Sequence, residues 1–211
     1  MIERDADLSQ PVETLHDSEK LKARSRYLRG GIAEGLQDPI TGAVPGDDPL
    51  LMKFHGIYQQ DDRDRRADRR QRHLEPIYQF MVRMRIPGGL LTKQQWWGID
   101  ALSRRYAERG IRITTRQTVQ LHGVRKPHLR RLMQGLREIG LDTIAACGDD
   151  SRGVVCGTNP FLSVVHQRVA DLARLTSDRL IPKTSAYPEI WYQESAPVTD
   201  HEEPVYAALY L

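Results

Sequence analysis

Between Tyr78 and Ile86 the residues Tyr78, Phe80, Val82, Met84 and Ile86 fall on every second position and alternate with Gln79, Met81, Arg83 and Arg85. A period of two sends successive side chains to opposite sides, so this stretch predicts a strand with one apolar and one mostly polar face. Pro87-Gly88-Gly89 ends it. Thr92-Lys93-Gln94-Gln95 then has the spacing of a capping box and opens a helix that runs to Arg109-Gly110, with Trp96, Ile99, Leu102 and Tyr106 forming one stripe toward the sheet. Ile111-Arg112-Ile113 and Val119-Gln120-Leu121-His122 alternate again and predict a hairpin across Thr114-Thr115-Arg116-Gln117. Pro127 starts a second helix, with Leu129, Leu132, Met133, Leu136 and Ile139 apolar and Gly140 just past its end. Asp142-Thr143-Ile144 predicts a last strand. The order strand, helix, strand, strand, helix, strand is a split βαβ arrangement, with two helices on one face of an antiparallel sheet.

This pattern makes the chain an α+β protein with a ferredoxin-like half-domain over residues 77–146. The sheet face away from the helices is left free, and Arg83, Arg85, Arg112, Gln120 and His122 lie on the polar side of their strands. Planar guanidinium forks bind carboxylates in pairs of hydrogen bonds, so such a face suits a ligand with several carboxylates or an oxyanion. The pattern is equally that of a plain solvated sheet face.

The flanks are less regular. Residues 1–15 read as a loose tail. A helix capped by Ser18 is expected from Asp17-Ser18 to Asp38-Pro39, carrying Leu21, Leu28, Ile32 and Leu36 and weakened at Gly30-Gly31. Residues 38–56 read as an extended arm, and 61–72, which interleave aspartate and arginine, as a solvated loop or helix face. A nucleic-acid site is disfavoured there because the carboxylates repel phosphate. Beyond the half-domain, Arg152–Cys156 is strand-like, Asn159-Pro160 caps a helix with Val164, Val165, Val169, Leu172 and Leu175, and Glu189–Tyr192 reads as another strand. The expected organisation is therefore a tail, helix and arm (1–76), the half-domain (77–146), and the incomplete start of an α/β domain (147–211).

With 39% hydrophobic residues the 211-residue chain has material for a core, and no apolar run reaches the roughly 18 residues of a membrane span. Its N-terminus, Met1-Ile2-Glu3-Arg4-Asp5, lacks the apolar stretch of a secretory signal, which makes the cytoplasm the expected location. Cys147 and Cys156 are expected to be reduced thiols, and two cysteines alone cannot supply a metal cluster that needs four. The net charge of +3 is modest, but the arginines are concentrated in a few segments, which points to local anion sites.

Five runs, in order, carry a more specific resemblance: Tyr27-Leu28-Arg29-Gly30, Phe54-His55-Gly56-Ile57-Tyr58-Gln59-Gln60-Asp61-Asp62-Arg63-Asp64, Arg83-Met84-Arg85-Ile86-Pro87-Gly88-Gly89, Thr115-Arg116-Gln117-Thr118-Val119-Gln120-Leu121-His122-Gly123 and Tyr187-Pro188-Glu189-Ile190-Trp191. Together they resemble the sirohaem-containing β subunit of NADPH-dependent assimilatory sulfite reductase, over nearly the whole chain after about residue 17. The resemblance implies an N-terminal portion of that haemoprotein, inactive alone, from an enzyme that reduces sulfite to sulfide by six electrons on sirohaem coupled to a 4Fe–4S cluster. It implies a flavoprotein partner carrying FAD and FMN that oxidises NADPH, and residues 147–211 as the start of a sirohaem-binding domain. By match to the family's motifs, Arg83 and Arg152 resemble the ligands of the substrate oxyanion, and Arg112, Arg116, Gln120 and His122 the residues around the sirohaem periphery. Salt bridging remains the plain alternative for Arg112, Arg116 and Arg152. The family's substrate-contacting lysine pair and its four cluster cysteines have no match in this chain. Two other readings stay open: a ferredoxin-dependent sulfite or nitrite reductase of the same superfamily, and a stand-alone anion- or RNA-binding module, which would normally show aromatic residues on its sheet face.

Overall fold

The computed structural model describes residues 11–148, 153–157 and 159–194. The chain enters through α1 (Asp17–Arg24), capped by His16 and not by Ser18: the His16 Nδ1 accepts the Ser18 N–H, so the helix starts earlier than the serine suggested. Of the expected loose tail, residues 1–10 lie outside the described residues, and Leu15 is already buried. The helix does not continue to Asp38. It breaks at Arg26, Tyr27 and Leu28, three successive residues with positive φ, and only a short turn, α2 (Ile32–Gly35), follows. Left-handed backbone at non-glycine residues is costly and persists only where the surroundings hold it. Here Leu28 is buried, its carbonyl accepts from the His55 ring, and Arg29 places a two-pronged hydrogen bond on Glu189 at 2.7 and 2.9 Å.

The expected extended arm contains a helix, α3 (Asp48–Phe54), with Pro49 in its first turn and Leu51, Met52 and Phe54 buried. It leads into β1 (Ile57–Asp61), and the arginine-rich run then forms α4 (Arg66–Gln71), which buries nothing. The half-domain follows as β2 (Tyr78–Arg83), α5 (Lys93–Tyr106), β3 (Ile111–Ile113), β4 (Val119–Val124) and α6 (Leu129–Glu138). The capping box at Thr92 is present in both directions, with Thr92 accepting from the Gln95 N–H and Gln95 from the Thr92 N–H.

The sheet is antiparallel in the order β1-β2-β4-β3. The edge strand expected from Asp142-Thr143-Ile144 is thus supplied instead by β1, which pairs along the whole of β2 from Ile57 opposite Val82 to Asp61 opposite Tyr78. With that edge taken, residues 142–145 make single bridging bonds, Arg85 N–H to the Asp142 carbonyl and Ala145 N–H to the Phe54 carbonyl. Gly56, at φ +79°, is required where these segments cross, since a Cβ there would lie 2.2 Å from the Thr143 carbonyl oxygen.

After the half-domain come α7 (Val164–Leu180) and α8 (Ala186–Tyr192). Ser163, and not Asn159-Pro160, caps α7 by accepting the His166 N–H. The predicted strand at Glu189–Tyr192 is helical: Tyr187, Ile190 and Trp191 stand at the i, i+3, i+4 spacing of one helix face and are buried. A single apolar cluster takes in residues from all parts of the chain, including Leu21 and Ile32, Leu51, Phe80 and Val82, Ile99, Leu132 and Leu136, and Trp191. α7 differs. Its buried residues are the small Ala170, Ala173 and Ser177, while Leu172 and Leu175 are 62% and 60% exposed.

Candidate functional site

The sheet register brings three of the singled-out residues into one row. Gln120 on β4 pairs with Arg83 on β2 to one side and with Arg112 on β3 to the other. His122 lies two positions along β4, on the same face, because side chains alternate along a strand. Arg116 sits in the turn that joins β3 to β4, where its backbone N–H donates to the Thr114 hydroxyl, and its side chain is exposed. Arg152 lies outside the described residues.

Gln120 links the row. With its amide oxygen toward Arg83 it accepts from Nε at 2.8 Å and also from Nη2, and its nitrogen then donates to His122 Nε2 at 3.0 Å. His122 therefore accepts at Nε2 and is held in its neutral form. Partial burial lowers its pKa first, and the charges of Arg112, Arg83 and Arg109 lower it further. Among the described residues, Arg83, Arg112 and Arg116 have no carboxylate partner. The face thus concentrates cationic charge that no carboxylate among the described residues neutralises.

Arg85 and Arg109 show the opposite treatment. Arg85, expected on the same polar face, turns away and binds Asp142 through Nε at 2.8 Å and Nη2 at 2.6 Å, and Asp178 of α7 through Nη1 at 2.9 Å. Arg109, which pattern reading did not single out, meets Asp62 at 2.8 Å. A polar groove of about 700 Å³ extends from Arg112 and His122 past Arg109 toward Gln60 and Asp61 of β1. The face is not wholly free, since Gln79 and Met81 on β2 are buried although they share the side of Arg83. Its open part is the row from Arg83 through Gln120 to Arg112, with His122 beside it.

The arrangement can hold an anion: two guanidinium groups flank an amide that is already fixed by a neighbour, and each fork can take a carboxylate or an oxyanion bidentately. Burial first and the neighbouring cations second also disfavour a proton on the histidine. Of the two cysteines, Cys147 is buried and Cys156 half-buried, and among the described residues no group of three His, Cys, Asp or Glu is placed to hold a metal ion. No helix among them is long and apolar enough to cross a membrane.

Comparison with known proteins agrees with the fold. Residues 74–139 match the nitrite/sulfite reductase ferredoxin-like half domain. The chain is 52% identical over 210 residues to the sulfite reductase [NADPH] hemoprotein beta-component of Nitrosomonas eutropha, with 99% of this chain and 37% of that protein covered. It is 52% identical to the protein of that name from Afipia carboxidovorans, covering all of this chain and 37% of the relative, and 49% identical to that from Oceanobacillus iheyensis, covering 98% and 36%. Among solved structures, the NirA protein of Mycobacterium tuberculosis superposes with a TM-score of 0.50 at 25% identity, over 69% of this chain and 27% of that one. The chain spans a little over a third of the length of the curated relatives it matches.

Proposed function

We propose, from a chain that matches a portion of the sulfite reductase hemoprotein beta-components over nearly all its residues, that it forms part of the anion and cofactor site of an assimilatory, NADPH-dependent sulfite reductase. The observation that carries this reading is the row Arg83–Gln120–Arg112, cationic, half-open and without carboxylate partners. Sirohaem with a 4Fe–4S cluster would supply the six electrons that convert sulfite to sulfide, and a flavoprotein would deliver them from NADPH.

The chain's own residues fit such a group. Arg112, Arg116, Gln120 and His122 would present donors to the carboxylate-rich rim of the macrocycle, and Arg83, with Arg152 by motif match, would hold the substrate oxyanion. Neutral His122 accepts from Gln120 and so keeps the amide oxygen turned to Arg83, which fixes that guanidinium before ligand arrives. Two cysteines do not furnish four thiolates, so the cluster ligands come from elsewhere in the enzyme.

The test is Arg83→Ala in the complete reductase. Sulfite turnover should fall by a factor on the order of a hundred with the haem spectrum intact, the usual cost of removing a donor to a reacting oxyanion. Loss of the haem spectrum would assign Arg83 to cofactor retention, and unchanged turnover with unchanged haem would overturn the reading.

A further inference from the structure

The turn between β3 and β4 contains a residue in a conformation it does not prefer. Gln117 has φ +55°, in the left-handed region where glycine or asparagine is the usual occupant. The turn closes around it, with the Thr114 N–H donating to the Thr118 carbonyl at 2.9 Å and the Gln117 N–H to the Thr114 carbonyl at 3.2 Å. A glycine would satisfy that turn. The glutamine side chain does something else.

Its amide lies along the backbone of Cys156, 39 residues away: Nε2 donates to the Cys156 carbonyl at 2.8 Å and Oε1 accepts the Cys156 N–H at 3.1 Å. One side chain thus satisfies both polar backbone groups of a residue that belongs to no strand, as a neighbouring strand would. The clasp is completed from the other side. The Gly88 N–H donates to the Val154 carbonyl at 2.9 Å, and a Cβ on Gly89 would lie 2.9 Å from the Gln117 Cβ. The Pro87–Gly89 turn that follows β2, the turn carrying Arg116 and the segment 153–157 are therefore held at one point, and the hub is the Gln117 amide.

We propose that Gln117 is a positioning residue of the anion site. It acts through Arg116, its neighbour: by tying the turn to Cys156 it fixes where that exposed guanidinium starts, relative to Arg83 on β2. The inference rests on the functional reading above and adds a residue that touches neither substrate nor macrocycle. Groups that support ligand residues typically cost ten- to a hundredfold in affinity when removed.

Gln117→Gly is the discriminating variant. Glycine adopts φ +55° at no cost, so the turn is kept or improved while the clasp is lost. Gln117→Glu is the second: it keeps an acceptor for the Cys156 N–H but has no donor for the carbonyl. Two readouts are taken on the haem-loaded reductase: sulfite binding, titrated through the haem absorption, and the rate at which Cys156 reacts with a maleimide. Expected is about tenfold weaker sulfite binding in Gln117→Gly together with faster Cys156 alkylation, and an intermediate effect in Gln117→Glu. A wild type that binds sulfite no better than Gln117→Gly overturns the inference alone. A wild type that binds no sulfite at all overturns the functional reading, and the inference with it.

Discussion

His55 and His122 both have lowered pKa values, and burial is the first cause in each, but their surroundings differ. His55 is fully buried with both ring nitrogens engaged: Nε2–H donates to the Leu28 carbonyl at 2.8 Å, and Nδ1 accepts the Trp191 indole N–H at 2.9 Å. Loss of water pushes its pKa down to about 4. Around it Thr143 donates to the His55 carbonyl and meets the Tyr187 hydroxyl at 2.8 Å. His122 is only half-buried, and after that burial three arginine charges lower its pKa further. The first network is complete within itself. Of the three arginines in the second, Arg109 is paired with Asp62, whereas Arg83 and Arg112 have no carboxylate partner among the described residues. In this molecule, then, a shifted histidine does not by itself mark a ligand site; what sets His122 apart is the cationic, half-open face around it.

The comparison can be broken from either side. The largest effect is expected for Trp191→Ala, which empties a fully buried position and leaves His55 Nδ1 without its donor. Stability to urea should fall by about 4 kcal/mol, and a loss under about 1 kcal/mol would mean the knot lies outside the cooperative core.

Next is the pH dependence of His55. Its folded pKa, about 4, lies below the ordinary 6.5, so the unfolded chain takes up a proton first as pH falls. Its contribution is fully present above pH 6.5 and declines between about 6.5 and 4, by on the order of 3 kcal/mol. Urea midpoints across that window should fall for the wild type and less steeply for His55→Gln; equal slopes would remove His55 as the cause.

The smallest effects separate two arginines on one run. Arg85→Met should cost roughly 2 kcal/mol, less than a fully buried pair because Asp178 is half exposed, since it strands Asp142 and releases α7. Arg83→Met should change stability by no more than about 0.5 kcal/mol, because it removes charge that nothing offsets. Equal losses in the two variants would erase the distinction between them.

Much of the half-domain was legible. The β2 alternation, the Thr92 capping box, the β3–β4 hairpin and the apolar face of α6 each depend on residues within a few positions of one another, and each formed, although α5 stopped at Tyr106 and β2 at Arg83. The short flanking elements were misread because their state depends on distant partners. Asp142–Ile144 lost its edge to Ile57–Asp61, a segment to which local pattern assigned no element and which became a strand by reaching β2, and Glu189–Tyr192 became helical by packing Trp191 against His55. Three of the five motif runs that suggested a family meet in that knot, at Leu28, at His55, and at Tyr187 and Trp191, so part of their signal is architectural.

The sequence by itself determined which residues stand on the polar side of each strand, because alternation is a local property of the extended chain. Only the tertiary structure decided that Arg83, Gln120 and Arg112 share a row, that Arg85 leaves it for Asp142 and Asp178, and that Gln117 reaches Cys156. Strand register and the pairing of charges are settled between segments far apart in sequence, where burial and the available partners decide which cation is neutralised and which stays open on the face.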